Sequence, residues 1–189
     1  MHTFFSVINR MKYINRWGLM RNTEKENLQQ HSHETAVLAH ALATIANERF
    51  SAGINAEKAA VLALYHDASE IVTGDLPTPI KYGTEELRKS YGKMEDYAKT
   101  ILLKKLPDYL KPVYRNILDG ESEPEWQYVK TADTLSAYIK CVTEIKAGNA
   151  EFSAAERNIY KKLESNPLPA LRVFMEEFLP AYGRTLDES

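Results

Sequence analysis

The sequence has 189 residues, enough for one domain, and its hydrophobic share of 44% is enough to form a substantial core without cross-links. With 24 basic and 26 acidic residues, the net charge of -2 argues against the cationic excess that proteins use to bind long nucleic acid. The single cysteine, Cys141, excludes an intrachain disulfide and a thiolate zinc cluster, which favours a reducing compartment. We therefore expect a soluble cytoplasmic protein with no long nucleic acid as its partner.

Neither export nor membrane insertion is predicted. Arg10, Lys12 and Arg16 interrupt the apolar positions near the start of the chain, whereas a signal peptide needs a continuous apolar run after its charges. No apolar stretch approaches the roughly 18 residues of a membrane span. We expect no contact with a membrane.

Apolar residues recur at intervals of three and four, and this periodicity predicts an all-α fold. The first helix is predicted over about Thr3 to Ile14, and the second over about Asn27 to Phe50, with Asn27 and Gln30 forming a capping-box-like pair at its start. A third helix, about Ala56 to Val72, is rich in Ala and Leu around most of its circumference, which predicts a central buried position. The side chains predicted to face the core in the first two helices are Phe4, Phe5, Ile8, Met11, Val37, Leu38, Ala41, Leu42 and Ile45.

The chain after the third helix begins with a predicted rigid loop, because Asp75-Leu76-Pro77-Thr78-Pro79 contains too much proline to be helical. Five further helices are predicted over about 85–106, 109–118, 125–147, 154–164 and 170–178. We expect a single domain over 1–189, with a metal-binding core over about 27–147 and C-terminal helices over 150–180.

Helical geometry sorts the histidines of the second predicted helix. At about 100 degrees per residue, His33 and His40 lie about 200 and 180 degrees from His31, so they point away from whatever His31 faces. We expect His33 and His40 to lie at the surface or behind the site.

The dipeptide His66-Asp67 lies in the most apolar predicted helix, where an unpaired carboxylate would cost several kcal/mol or lose its charge. A divalent metal would compensate Asp67, and imidazole with carboxylate suits Mn, Co, Fe or Zn. A buried ion pair with a lysine or arginine would compensate it equally well. The dipeptide alone leaves both alternatives open.

Three short segments occur in a recognisable order: Gln30-His31-Ser32, Tyr65-His66-Asp67-Ala68 and Lys130-Thr131-Ala132-Asp133-Thr134-Leu135. In this respect the sequence resembles the HD-domain phosphohydrolase superfamily, whose signature of His, His-Asp and Asp lies on a helical bundle. The resemblance implies that His31, His66, Asp67 and Asp133 bind one divalent metal ion per chain, Co, Mn or a similar ion whose identity stays open.

Longer segments narrow the resemblance to one branch of this superfamily. Ile14-Asn15-Arg16-Trp17-Gly18-Leu19-Met20-Arg21-Asn22, Tyr65 to Glu70 and Thr73 to Tyr82 resemble the bacterial 5′-deoxynucleotidases, and the likeness covers nearly the whole chain. Gln30 stands where an acidic residue is common, and Gly18 where we expect proline. The resemblance implies a homodimer that hydrolyses deoxyribonucleoside 5′-monophosphates.

Glu70 lies four residues after His66 on the predicted helix, hence on the same face. Position alone leaves an exposed helix glutamate as the alternative; the resemblance implies the catalytic base. Arg16 and Trp17 follow the first helix, and the alternatives are a surface arginine and a core tryptophan. Arg16 would give its fork of donors to the substrate phosphate, and Trp17 would pack against the sugar. The resemblance implies that this pair orients the phosphate, with Arg16 taking part in catalysis, and that it excludes a 2′-hydroxyl.

The proline-containing loop supplies the remaining predicted contacts. Asp75 would accept a hydrogen bond from the sugar 3′-hydroxyl, with a turn or cap residue as the alternative. The pocket wall would be formed by Leu76, Pro77 and Thr78. The metal-site residues His31, Asp67 and Asp133 would also contact the substrate. Lysines 81, 130 and 140 are predicted to be solvated.

We therefore predict a metal-dependent 5′-deoxynucleotidase. Two alternatives stay open: another HD-type nucleotide phosphohydrolase, acting on triphosphates or phosphodiesters, and a non-catalytic nucleotide-binding sensor. A phosphodiesterase with two metals would need further histidine ligands, and the chain has no histidine after His66.

Overall fold

The computed structural model describes residues 1–77, 80–81 and 83–188. Within these ranges the chain forms helices and turns without a β-strand, apart from one isolated bridge between Asn15 and Asn27. The predicted all-α fold is confirmed. None of the helices in the described ranges combines the length and the apolar character needed to cross a membrane.

The helices follow the predicted order, most of them with small shifts of their ends, but the first, predicted to about Ile14, is α-helical only to Ile8 and continues as a 3-10 turn to Tyr13. In the described part of the chain the α-helices are α1 (Phe4–Ile8), α2 (Leu28–Phe50), α3 (Ala56–Tyr65), α4 (Glu70–Thr73), α5 (Glu85–Leu103), α6 (Lys111–Leu118), α7 (Trp126–Lys146), α8 (Ser153–Glu164) and α9 (Pro169–Glu177). Short 3-10 turns cover Asn9–Tyr13, Gly120–Ser122, Ala150–Phe152, Leu179–Gly183 and Leu186–Glu188.

The start of α2 is fixed by its own sequence. The Asn27 side chain accepts hydrogen bonds from the backbone amides of Gln29 and Gln30, and the Gln30 side chain accepts one from the Asn27 amide, each at 3.0 Å. The predicted capping box is therefore confirmed. It begins the helix just before His31, whose backbone amide donates to the Asn27 carbonyl at 3.0 Å.

The third helix is shorter than predicted. It ends at Tyr65, residues 66–69 form turns, and α4 begins at Glu70, so the continuous helix predicted to Val72 was wrong. Two amides in this stretch bond to carbonyls three residues earlier, Ala68 to Tyr65 and Glu70 to Asp67, each at 3.0 Å. This tighter winding interrupts the α-helix and turns the His66-Asp67 dipeptide away from a regular helical face.

The main core lies between α2 and the helices packed around it, α3, α7 and α9. Among its fully buried side chains are Leu38, Leu42, Leu62 and Leu135. Burial of leucines of this size contributes about 1.5–3 kcal/mol each. This packing holds α2, α3 and α7 together, and these helices or the turn after α3 carry every predicted metal ligand.

Three details of the predicted core were wrong. Phe5 is 55% exposed and Val37 is 56% exposed, because each lies on the solvent side of its helix. On α3, Val61 and Leu64 are also exposed, so the helix buries one face rather than most of its circumference. The buried face carries Ala56, Ala59, Leu62 and Ala63, and the composition of the helix alone does not reveal which of its apolar side chains share that face.

A second, smaller cluster lies under the N-terminal helix. Its buried members are Phe4, Ala68, Leu102, Leu103, Leu106 and Leu118. Ala68 directly follows Asp67 and is completely buried. The turn that carries His66 and Asp67 is therefore anchored to α1, α5 and α6, while α3 packs in the main core.

Candidate metal and substrate site

The four predicted ligands meet at one buried point. His31 comes from α2, His66 and Asp67 from the turn after α3, and Asp133 from α7. Ligand atoms of His31, His66 and Asp133 lie within 4.8 Å of one another. His31 Nε2 is 3.1 Å from Asp133 Oδ1, and Asp67 Oδ2 is 3.2 Å from His66 Nε2 and 3.6 Å from His31 Nε2. Residues far apart in the sequence thus form a single cluster of two imidazoles and two carboxylates.

The hydrogen bonds of His66 leave one ring nitrogen available. Its Nδ1 lies 2.7 Å from the carbonyl oxygen of Ala63, which is an acceptor, so Nδ1 carries the proton and donates it. Nε2 is buried and has no hydrogen-bond partner among the described residues. Buried polar atoms in proteins almost always have a partner, and the lone pair of His66 Nε2 faces the other candidate ligands.

His31 is held in the same tautomer. Its Nδ1 lies 3.1 Å from Ser136 Oγ and 3.3 Å from Glu26 Oε1. Ser136 donates its hydroxyl proton to Glu34 Oε2 at 2.5 Å, so its oxygen can accept the Nδ1 proton. Nε2 of His31 therefore presents a lone pair to Asp133 Oδ1.

An imidazole lone pair and a carboxylate oxygen repel each other unless a cation or a proton lies between them. A cation bound at this point would give the unpartnered Nε2 of His66 a partner and would separate the facing atoms of His31 and Asp133. Two imidazoles with two carboxylates form a donor set that suits a borderline divalent ion. These residues therefore fit a divalent metal.

The electrostatics of the site agree with this fit. Burial would raise the pKa of Asp67 and of Asp133, but nearby cationic groups, His66 and Lys130 respectively, outweigh it and lower both pKa values. For His66, burial would lower the pKa, and the carboxylates of Asp67 and Asp133 overcome it and raise the pKa to about 10. A chain without metal therefore holds a proton here, which metal binding would release.

Arg16 is part of the cluster. Its Nη1 donates to Asp67 Oδ2 at 3.2 Å, its Nε lies 3.6 Å from Glu26 Oε1, and its side chain is only 13% exposed. The alternative of a surface arginine is therefore wrong. Asp67 has both an arginine partner and a place in the ligand cluster. An ion pair and a metal ion can therefore both compensate its buried charge.

Trp17 lies beside Arg16 and is half-buried. Its indole Nε1 donates to Glu26 Oε2 at 3.0 Å, and its ring packs on Phe152 with 5.3 Å between ring centroids. The tryptophan is therefore fixed at both its polar and its apolar surface and is not a fully buried core residue.

Glu70 is buried, with 2% of the residue exposed, so the alternative of an exposed helix glutamate is wrong. Its Oε1 accepts a hydrogen bond from Lys81 Nζ, whereas Oε2 is buried without a partner among the described residues. Burial and the charge of Asp67 raise the pKa of Glu70 to about 8, against the opposing effect of Lys81. One carboxylate oxygen is thus held by Lys81, and the other is buried with its hydrogen-bonding capacity unused among the described residues.

The loop after α4 reaches the same region. Asp75 Oδ1 lies 3.8 Å from Lys81 Nζ, and Leu76 and Pro77 are partly buried. Thr78, predicted to line the pocket, lies outside the described residues. The structure therefore brings Asp75 close to the Lys81 and Glu70 pair.

Around the cluster, two histidines agree with their predictions and two lysines do not. His33 and His40 are exposed on α2, as the helical geometry predicted. The solvated state predicted for Lys81 and Lys140 was wrong, because their side chains are 14% and 10% exposed and contact Glu70 and Glu144. The sequence analysis assigned no role to Glu26, Ser136 or Glu144. Ser136 meets His31 and Glu34, and Glu144 meets Thr23, across more than 100 residues of chain. Glu26 meets Trp17 and His31 from the non-helical segment before α2, where no helical repeat relates the side chains.

The all-helical bundle with two histidines and two aspartates at one buried point defines an HD-domain fold. It is similar to an HD-domain phosphohydrolase from Listeria innocua, with a TM-score of 0.82 and 22% identity over 95% of this chain and 88% of that chain. A cyanophage S-2L HD phosphohydrolase, described as bound to dA and one catalytic Zn2+ ion, matches with a TM-score of 0.64 and 21% identity over 95% of this chain and 96% of that chain.

The sequence comparison identifies the family. Residues 3–182 match the model described as 5'-deoxynucleotidase YfbR-like, and the chain belongs to that family. It is 47% identical to a 5'-deoxynucleotidase of Photorhabdus temperata over 100% of this chain and 96% of the relative. It is 45% identical to a 5'-deoxynucleotidase of Shewanella oneidensis over 100% and 97% of the two chains.

Proposed function

We propose that this protein is a metal-dependent 5′-deoxynucleotidase, which converts deoxyribonucleoside 5′-monophosphates and water to deoxyribonucleosides and phosphate. The observation that carries the proposal is the meeting of His31, His66, Asp67 and Asp133 beside Arg16, in a chain of this family. These four residues would hold one divalent ion, Co, Mn or a similar ion. When bound, the ion would activate water and offset negative charge on the phosphate.

Arg16 is proposed to bind the substrate phosphate. Its guanidinium has five N–H donors, of which one is used on Asp67, so donors remain for phosphate oxygens. Its contacts with Asp67 and Glu26 fix the guanidinium beside the ligand cluster. The arginine would therefore orient the phosphate and stabilise the charge that develops during hydrolysis.

Glu70 is proposed as the general base. Its unpartnered Oε2 would take the proton from the attacking water, while Lys81 holds Oε1. The raised pKa of Glu70 suits proton transfer near neutral pH, since the same carboxyl can then return the proton to the leaving sugar oxygen. Glu70 would not bind the metal directly.

Selection of the sugar is proposed to come from both edges of the site. Trp17 would pack on the deoxyribose and leave no room for a 2′-hydroxyl, a steric discrimination. Asp75 would accept a hydrogen bond from the 3′-hydroxyl, and Leu76, Pro77 and Thr78 would form the wall. His31, Asp67 and Asp133 would also contact the substrate phosphate, because they lie where it would bind.

A phosphate-release assay tests the function. Metal-loaded protein is given dAMP, AMP, dATP and a cyclic dinucleotide, with Glu70→Ala as the control. We expect phosphate from dAMP, much less from AMP, and none from the Glu70→Ala variant above background. Equal rates on dAMP and AMP would contradict sugar selection. Absence of turnover on every substrate with metal bound would instead support a nucleotide-binding sensor.

The proposal includes a cytoplasmic location, a homodimer, and a single domain over residues 1–189 in each chain. The single cysteine supports the reducing compartment, and the family resemblance supports the homodimer. The packing of α7 against α2, α3 and α8, which joins the C-terminal helices to the main core, supports the single domain. Light scattering of the purified protein measures the oligomeric state, cell fractionation the compartment, and limited proteolysis the domain. A monomeric mass, recovery with another compartment, or two stable fragments would each contradict the corresponding part.

A further inference from the structure

The carboxylate of Glu26 joins two parts of the site. Its Oε2 accepts the hydrogen bond of the Trp17 indole at 3.0 Å, and its Oε1 lies 3.3 Å from His31 Nδ1. The same Oε1 lies 3.6 Å from Arg16 Nε, and the Glu26 side chain is only 12% exposed. One carboxylate therefore contacts the candidate metal ligand His31 and two of the residues proposed to bind the substrate, Arg16 and Trp17.

Trp17 needs such support because of its backbone. Its φ of 57° lies in the left-handed region, which a bulky residue adopts only where its surroundings hold it. The Met20 amide donates to the Trp17 carbonyl at 2.9 Å, and the Arg16 amide donates to the Glu26 carbonyl at 2.9 Å. These bonds fix the main chain, but the bond from the indole to Glu26 is the one that fixes the polar edge of the ring.

The other oxygen of Glu26 acts on His31. A histidine that offers Nε2 to a metal must carry its proton on Nδ1, and an acceptor at Nδ1 stabilises that tautomer. Glu26 Oε1 and Ser136 Oγ both lie within reach of this proton. Because a carboxylate only accepts hydrogen bonds, Glu26 serves the indole and the imidazole at the same time.

We propose that Glu26 is a positioning residue that determines sugar specificity through Trp17 and supports metal binding through His31. The sugar part rests on the proposed function, whereas the metal part does not. Glu26 thereby makes the selection of deoxyribose and the affinity for metal depend on one side chain.

Two substitutions separate these roles. In Glu26→Gln the amide oxygen can still accept the indole hydrogen bond, but the amide NH2 group then faces His31 Nδ1, which needs an acceptor. In Glu26→Ala both contacts are lost. Glu24→Gln, on an exposed residue of the same segment, is the matched control. All variants are made with Trp126→Phe. The chain has 2 tryptophans, so the tryptophan fluorescence then comes from Trp17 alone.

Three quantities are measured: the ratio of kcat/KM for dAMP to that for AMP, the Trp17 emission maximum without metal, and the dissociation constant for Co2+. For Glu26→Gln we expect an unchanged ratio and emission, with Co2+ affinity lower by about tenfold. For Glu26→Ala we expect the same loss of Co2+ affinity, a ratio lower by about tenfold or more, and a shifted emission. Glu24→Gln should match the parent in all three.

The outcomes are distinct. If the parent shows no preference for dAMP, the sugar selection of the proposed function fails, while emission and Co2+ affinity still decide whether Glu26 positions Trp17 and His31. A parent that prefers dAMP, with Glu26→Ala unchanged in ratio and emission, would overturn the inference and leave the proposed function intact. Equal loss of the ratio in both variants would overturn the assignment to the indole bond. If Glu26→Ala does not fold, judged by circular dichroism, the Glu26→Gln result still decides the His31 role.

Discussion

Arg16 Nη1 and Asp67 Oδ2 lie 3.2 Å apart, and this hydrogen bond joins the segment before α2 to the turn that carries the HD dipeptide. Neither side chain is more than 17% exposed, so each neutralises part of the other's charge away from bulk water. The arginine is thereby held in one position before any phosphate arrives, which favours the binding of a small anion despite the net negative charge of the chain.

Replacement of Arg16 is expected to impair turnover far more than folding. We expect Arg16→Ala to lower kcat/KM for dAMP by about 100-fold, the usual cost of one donor to developing charge. Arg16→Lys should restore little, because one ammonium cannot reproduce the planar contacts of Nε and Nη1. Steady-state kinetics measure both, with the exposed Arg10→Lys as the control. Full activity of Arg16→Lys would contradict a role for the guanidinium fork.

The Glu70 and Lys81 pair is expected to control the acid side of the pH profile. Lys81 lowers the pKa of Glu70, so Lys81→Met should raise that pKa. A base acts only when deprotonated, and the acid limb of kcat should therefore move to higher pH. The profile is measured with metal-saturated enzyme, and Lys89→Met, on an exposed lysine of α5, is the control. A limb that stays in place or moves to lower pH would argue against Glu70 as the base.

Metal content is expected to separate the histidines of α2. His31→Ala and Asp133→Ala should lose most of the metal, because each removes a ligand, whereas His33→Ala and His40→Ala should retain it. Elemental analysis of purified protein measures this directly. Loss of metal in His33→Ala would show that the helical sorting is wrong.

Metal binding should also stabilise the folded chain. Metal at 100 times its dissociation constant should raise the free energy of unfolding by about 2.7 kcal/mol, so the Tm should be lower after chelation than before it.

Glu144 is expected to stabilise the fold in a pH-dependent way. It is buried and accepts hydrogen bonds from Lys140, Thr23 and Asn149. Burial would raise the pKa of Glu144, but these partners outweigh it and lower the pKa below its ordinary value. The folded chain therefore favours the carboxylate, and this contribution is present above the unfolded pKa of about 4.3 and is lost as the pH falls further.

Glu144→Gln should accordingly lower the free energy of unfolding at pH 7 by about 1–3 kcal/mol, and the difference from the parent should shrink at pH 3. Urea unfolding at the two pH values measures it, with Glu48→Gln, an exposed position on α2, as the control. A difference that is constant with pH would mean that the carboxylate charge of Glu144 has no part in the stabilisation.

The helix predicted to continue through His66 is interrupted there for a physical reason. The apolar composition from Ala56 to Val72 predicts a continuous helix, but several amides after Tyr65 bond three residues back rather than four. Burial of Ala68 in the cluster under α1 and the bond of His66 Nδ1 to Ala63 accompany this tighter winding. Composition records helix propensity, whereas these contacts depend on what packs against the turn.

The sequence by itself determined the features that depend on near neighbours. Asn27 and Gln30 cap α2 across a single turn, and the helical repeat sets His31 apart from His33 and His40. Only the tertiary structure decided the features that join residues outside any one helix: the pairing of Arg16 with Asp67, the position of Glu26 between Trp17 and His31, and the burial of Glu70 with Lys81. Local periodicity specifies which way a side chain points along its own helix. The packing of α2, α3 and α7 decides which side chains from other segments it meets.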